Sequence, residues 1–190
     1  MNTVKQTGIG RNTLSGKIFE RKTNSSDFLI SKGFVKRMLG DTKHFLYMKR
    51  MENKTIVYLY QKNFRYFCKD ILELDVWRDP DEAFVILFTE SDKISLGIIE
   101  TKNQSVPGSV DQKLYNASYF KDEYEHVFRK RYDTVVDYAF CLSPYFKDLL
   151  DKPSDKWAFF KKHTQEHNIQ LMFGEDDTYH ATLWDWVQKL

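Results

Sequence analysis

Cysteine is scarce in this sequence: Cys68 and Cys141 are the only two in 190 residues, too few for a disulfide scaffold, and neither has a neighbour at metal-ligand spacing. Both are expected to be reduced thiols in a cytoplasmic protein. Four prolines and eight glycines likewise exclude a collagen-like or low-complexity chain. No apolar run approaches the length that spans a bilayer, and the opening Met-Asn-Thr-Val-Lys-Gln-Thr-Gly lacks a hydrophobic signal region, which argues against a membrane protein and against secretion. A large excess of one charge is missing too. The net charge is +2, so a polyanionic partner would be met by a local patch rather than by the whole surface.

What is abundant is aromatic: eleven Tyr and fifteen Phe point to a rich core beneath a charged exterior. No repeat and no long polar linker divides the chain, so a single domain is expected over 12–190, preceded by a flexible arm over 1–11. Within that arm Gly8-Ile9-Gly10 lacks the preceding strand and third glycine of a nucleotide-binding loop. Basic residues cluster at Arg21-Lys22, Lys36-Arg37, Lys49-Arg50, Arg129-Lys130-Arg131 and Lys161-Lys162, each a solvated face or a phosphate contact.

One spacing carries chemistry. Pro80-Asp81 is followed after eighteen residues by Glu100-Thr101-Lys102. The apolar, β-branched stretch Ile94 to Glu100 reads as a buried strand, so Glu100, Lys102 and Gln104 leave it on one face at period two, with Thr101 and Asn103 on the other. Ala83 to Thr89 reads as a second strand and Ser91-Asp92-Lys93 as the turn between them, a hairpin that returns Asp81 to the side of Glu100. Two adjacent carboxylates repel unless a cation lies between them, and hard oxygen ligands at an open site favour Mg²⁺ or Mn²⁺. Lys102 is placed to hold a water or a phosphate oxygen, which makes metal-assisted phosphodiester hydrolysis the leading chemistry.

These residues resemble the PD-(D/E)XK nucleases, the restriction-endonuclease-like superfamily, and most resemble a small type II restriction endonuclease. The resemblance rests on Pro80-Asp81, Glu100 and Lys102, and extends from Arg78 to Lys113. It implies an α/β fold with a mixed central sheet flanked by helices, and Mg²⁺-dependent cleavage of double-stranded DNA by a homodimer. Asp81 and Glu100 would be metal ligands, the Thr101 carbonyl a further ligand, Lys102 the catalytic lysine and Glu20 a helix-borne member of the site. Gln104, Gly108, Ser109 and Lys113 would contact DNA phosphate. Ser109 fits an N-cap with Gln112 at the third helical position, and a helix N-terminus there would offer NH groups to a phosphate. A phage- or virus-type repair or junction-resolving nuclease is the alternative of the same fold. A DNA-binding module without chemistry is less compatible with an intact Asp81, Glu100 and Lys102.

Elsewhere the periodicity predicts a helix from Asn12 to about Thr23 and a hairpin of His44–Arg50 with Lys54–Gln61. It also predicts helices over Phe64–Leu72, Ser109 to about Arg129, after Ser143-Pro144, and over Ser154–His167. Strands are expected at Thr134–Leu142 and Asn168–Phe173, and a last helix carries Trp184 and Trp186, which are read as packing. His163-Thr164-Gln165-Glu166-His167 matches the H-x-x-E-H zinc-peptidase pattern, but that pattern needs a distant third ligand and only 23 residues (190 minus 167) follow. A polar helix face opposite Trp157 and Phe160 is expected instead. Glu175-Asp176-Asp177 reads as a turn.

Overall fold

The computed structural model describes residues 9–105 and 110–190. A seven-stranded mixed sheet runs through it in sequence order, with β1 (Val35–Met38), β2 (Phe45–Arg50), β3 (Lys54–Leu59), β4 (Glu82–Phe88) and β5 (Lys93–Lys102) pairing antiparallel. Then β6 (Asp133–Leu142) and β7 (Ile169–Phe173) continue it in parallel. Parallel neighbours need crossovers, and these are helical: α4 (Val110–Leu114) and α5 (Ala117–Phe128) before β6, α6 (Pro144–Asp151) and α7 (Asp155–Glu166) before β7. The others are α1 (Ile9–Thr23), α2 (Ser26–Ser31), α3 (Lys62–Asp70) and α8 (Tyr179–Lys189).

Alternation along the strands divides the core into two. Leu59, Val85, Leu96, Ile98, Tyr138 and Phe140 face one side, where α3 brings Phe64 and Phe67, α5 Tyr124 and Phe128, α6 Phe146, and α7 Trp157 and Phe160. Tyr58, Phe84, Ile86, Ile99 and Cys141 face the other, under Phe19 of α1, Leu29 of α2, and Leu183 and Val187 of α8. Strand β5 is buried on both faces from Ile94 to Ile99, which is why its sequence is nearly continuous in apolar residues instead of alternating. Among the described residues no helix is long and apolar enough to cross a membrane.

Four details depart from the periodicity. The first helix begins at Ile9, so the expected arm is helical over its last three residues, and its first eight lie outside the described residues. The six-residue α2 and the four-residue β1 are additions. Every residue of β1 is exposed, so no apolar alternation marks it. The single helix expected from Ser109 to Arg129 is two, broken at Tyr115-Asn116, with Leu114 and Ala117 buried on either side of the break. The helix expected from Phe64 begins earlier, at Lys62. Cys68 and Cys141 are buried free thiols.

At the end of β7 the chain turns under α1 with no room for a side chain. A Cβ on Gly174 would stand 2.3 Å from Thr23 Cγ2, 2.7 Å from Cys141 Sγ and 2.9 Å from Phe19 Cζ, all on buried residues. Gly174→Ala is therefore expected to destabilise the fold by about 2 kcal/mol through overpacking. Chemical denaturation measures it, and an unchanged midpoint would show that α1 is not seated there.

Candidate active site

Strands β4 and β5 pair in register up to Glu82 opposite Ile99, so Asp81 lies one step beyond, opposite Glu100. The β4 backbone stops laddering there, and the Asp81 side chain takes over: its Oδ2 accepts the Thr101 N–H at 2.8 Å. Proline at position 80 fits the junction, since it cannot donate to a ladder and it restricts the residue before it. Glu100 and Lys102 leave β5 on the same face, and the Lys102 ammonium donates to Glu100 Oε2 at 2.5 Å while standing 3.9 Å from Asp81 Oδ2. One cation thus bridges two carboxylates. Burial raises the pKa of Glu100 and the Asp81 charge adds to it, with Lys102 and Arg78 acting in opposition.

Helix α1 closes the other side. A cleft of about 310 Å³ is lined by Lys17, Glu20 and Arg21 of α1, by Asn24, Tyr60 and Gln61, and by Asp81, Glu82 and Thr101. Glu20 thus shares a cleft with Asp81, and its pKa is raised by partial burial and by that neighbouring charge, against the pull of Lys102 and Lys17. The helix is held there by a contact the sequence did not advertise. Glu82, adjacent to Asp81 but on the opposite face of the sheet, is only 5 % exposed and accepts a hydrogen bond from Ser25 Oγ at 2.8 Å. Ser25 sits at the α1–α2 junction, so a buried hydrogen bond ties the end of α1 to the strand that carries Asp81.

On the Glu100 side lies a second group. Arg78 Nε donates to Glu123 Oε2 at 2.6 Å, and its guanidinium carbon stands 3.9 Å from the centroid of the Phe120 ring. This fixes the fork beside Glu100, whose charge Arg78 stabilises. Tyr124 and Tyr138 are also neighbours of Glu100; burial first, and then that carboxylate, raise both phenols above their ordinary range.

Comparison with protein-family models, curated proteins and solved structures returns no match.

The other candidate residues divide. Gln104 continues from β5, its N–H donating to Ser143 Oγ at 3.2 Å and its carbonyl accepting from the same hydroxyl at 2.9 Å. Its side-chain amide is buried and has no hydrogen-bond partner among the described residues. Lys113 is an exposed residue of the short α4. Gly108 and Ser109, and with them the proposed N-cap, lie outside the described residues. The H-x-x-E-H segment is remote in character: His163 Nε2 lies 3.3 Å from Ser118 Oγ, and His167 follows the end of α7. Asp176 pairs with Lys147 at 2.7 Å. Among the described residues no three His, Cys, Asp or Glu side chains converge to hold a metal ion by themselves.

Sequence reasoning missed Glu82, Ser25, Lys17, Tyr124 and the placement of Arg78. For Arg78 a signal existed, since it stands three residues before Asp81; for the pairing of Glu82 with Ser25, 57 positions apart, none did.

Proposed function

We propose that this chain is a metal-dependent DNA endonuclease with a restriction-endonuclease-like fold. The observation that carries the reading is the convergence of Asp81, Glu100 and Lys102 at the open end of β4 and β5, with Glu20 sharing a cleft with Asp81. Two carboxylates and a backbone carbonyl are the partial, hard-oxygen ligand set that suits Mg²⁺ or Mn²⁺, which complete their coordination with water and substrate phosphate. Asp81, Glu100 and the Thr101 carbonyl are the ligands. When bound there, the ion supplies electrostatic stabilisation of the charge that develops on the scissile phosphate.

The chain's own residues do the rest. Lys102 already neutralises the carboxylates and holds a donor where a phosphate oxygen or attacking water would lie. Arg78, braced by Glu123 and Phe120, adds a second positive charge near Glu100. Lys17 and Arg21 make the α1 rim of the cleft basic. The Gln104 amide, without a hydrogen-bond partner among the described residues, carries both a donor and an acceptor beside this end of β5.

Incubation with Mg²⁺ and plasmid DNA, followed by sequencing of the product ends, tests the reading. Discrete, mappable ends support site-specific cutting of duplex DNA by a homodimer, as in a type II restriction enzyme. Structure-selective cutting of branched substrates supports a repair or junction-resolving role. Intact DNA with Mg²⁺ and with Mn²⁺ rejects the nuclease assignment.

Arg78→Lys is expected to lower the cleavage rate by about tenfold, because an ammonium reproduces the charge but not the fork that Glu123 and Phe120 brace. Single-turnover kinetics give the number, and parental kinetics would remove Arg78 from the site.

A further inference from the structure

Three cations of α3 share one face. Lys62, Arg65 and Lys69 recur at i, i+3 and i+7, all exposed, opposite the buried Phe64, Phe67 and Cys68. Among the described residues Lys62 and Lys69 have no ion pair, while Arg65 meets Asp79 at 2.8 Å. The three line a concavity of about 280 Å³ together with Tyr66 and Asp79. Its wall is built to stay in place: Tyr66 stacks on His44 with ring centroids 3.6 Å apart, and His44 Nδ1 is hydrogen-bonded to Asn63 Oδ1 at 3.0 Å in the interior.

The stripe is also continuous with the cleft. Gln61, the residue before α3, lines that cleft and donates its N–H to the Pro80 carbonyl at 2.9 Å, and Asp79 is the other neighbour of Pro80. From Lys62 to Lys69 the helix rises roughly 10 Å, the axial advance of about three nucleotides along one strand of a duplex. The geometry points to α3 as a phosphate-binding track: Lys62, Arg65 and Lys69 contact the backbone of duplex DNA flanking the phosphate in the cleft, with the Tyr66 hydroxyl as a neutral donor among them. This rests on the nuclease reading for its ligand. The contacts position the DNA and do not read bases, because cations on an exposed helix face meet phosphates that are the same in every sequence.

The test is the salt dependence of binding. Wild-type protein, the single variants Lys62→Gln, Arg65→Gln and Lys69→Gln, and the triple variant are titrated with two duplexes of unrelated sequence in Ca²⁺, over a range of KCl. Each single variant is expected to reduce the slope of log K against log salt by about 1, the triple by about 3, and equally on both duplexes. Unchanged slopes overturn the proposal, as does a loss confined to one duplex, which would mean base reading. The singles keep the test open should the triple misfold. Reduced slopes in a protein that cuts no DNA in Mg²⁺ would sink the nuclease assignment and leave the track standing; cutting with unchanged slopes would do the reverse.

Discussion

Asp81→Asn is expected to eliminate Mg²⁺-dependent cleavage while leaving DNA binding in Ca²⁺ within a few fold of the parent. The reason lies in the double duty of that side chain. As a structural acceptor it takes the Thr101 N–H at 2.8 Å, a role an asparagine oxygen can keep. As a charge it stands opposite Glu100, and a neutral amide cannot replace it there as a ligand for a divalent ion. Lys102→Ala separates the same functions from the other side. It removes the donor 2.5 Å from Glu100 and 3.9 Å from Asp81 without touching either ligand, so a loss of about a thousandfold in the chemical step with little change in binding is expected. A supercoiled-plasmid assay under single-turnover conditions measures both. If either variant cuts at the parental rate, this end of the sheet is not the catalytic centre.

That centre was legible because its residues are tied by local rules. Period-two geometry puts Glu100 and Lys102 on one face of a strand, and a short hairpin fixes which residue stands opposite. The same rules say nothing about elements far apart in sequence. Glu20 reaches the cleft on a helix whose end is tied by Ser25 to Glu82, 57 positions away, and no pattern within either segment announces that contact. The α3 stripe escaped for a different reason. The basic clusters that stand out in a sequence are contiguous runs, whereas Lys62, Arg65 and Lys69 become neighbours only after the helix turns. Strand β1 illustrates the third kind of loss: Val35 to Met38 are exposed on both faces, so no apolar alternation marks the strand. The helix break at Asn116 is the fourth: Leu114 and Ala117, three apart, fit one face of an unbroken helix, so their apolar pattern gives no sign of it.

The buried carboxyl of Glu82 should make the stability of the metal-free protein fall as pH rises. Burial is the principal cause: it lifts the Glu82 pKa from 4.5 to about 7, the charge of Asp81 adds to the shift, and the hydroxyls of Ser25 and Tyr58 hold it down. Between those two values the folded state binds a proton that the unfolded chain has released, so the unfolded chain gains relative stability with each step in pH. The contribution is fully present below about pH 4.5 and is lost as pH rises through about 7, the reverse of an ion-paired carboxylate. Integrated from pH 5 to pH 8, it amounts to roughly 2–3 kcal/mol. Glu82→Gln carries no proton to lose. Whatever offset the substitution brings at a single pH, its stability should fall by roughly 2–3 kcal/mol less than the parent's across that interval. Urea titrations of both proteins in EDTA at pH 5, 6.5 and 8 give the comparison, and parallel curves would mean that Glu82 is charged in the folded state at all three. A charged Glu82 would draw its compensation from the hydroxyls of Ser25 and Tyr58, which would make the bond to Ser25 a charge-assisted one and tie the end of α1 more tightly at high pH than at low.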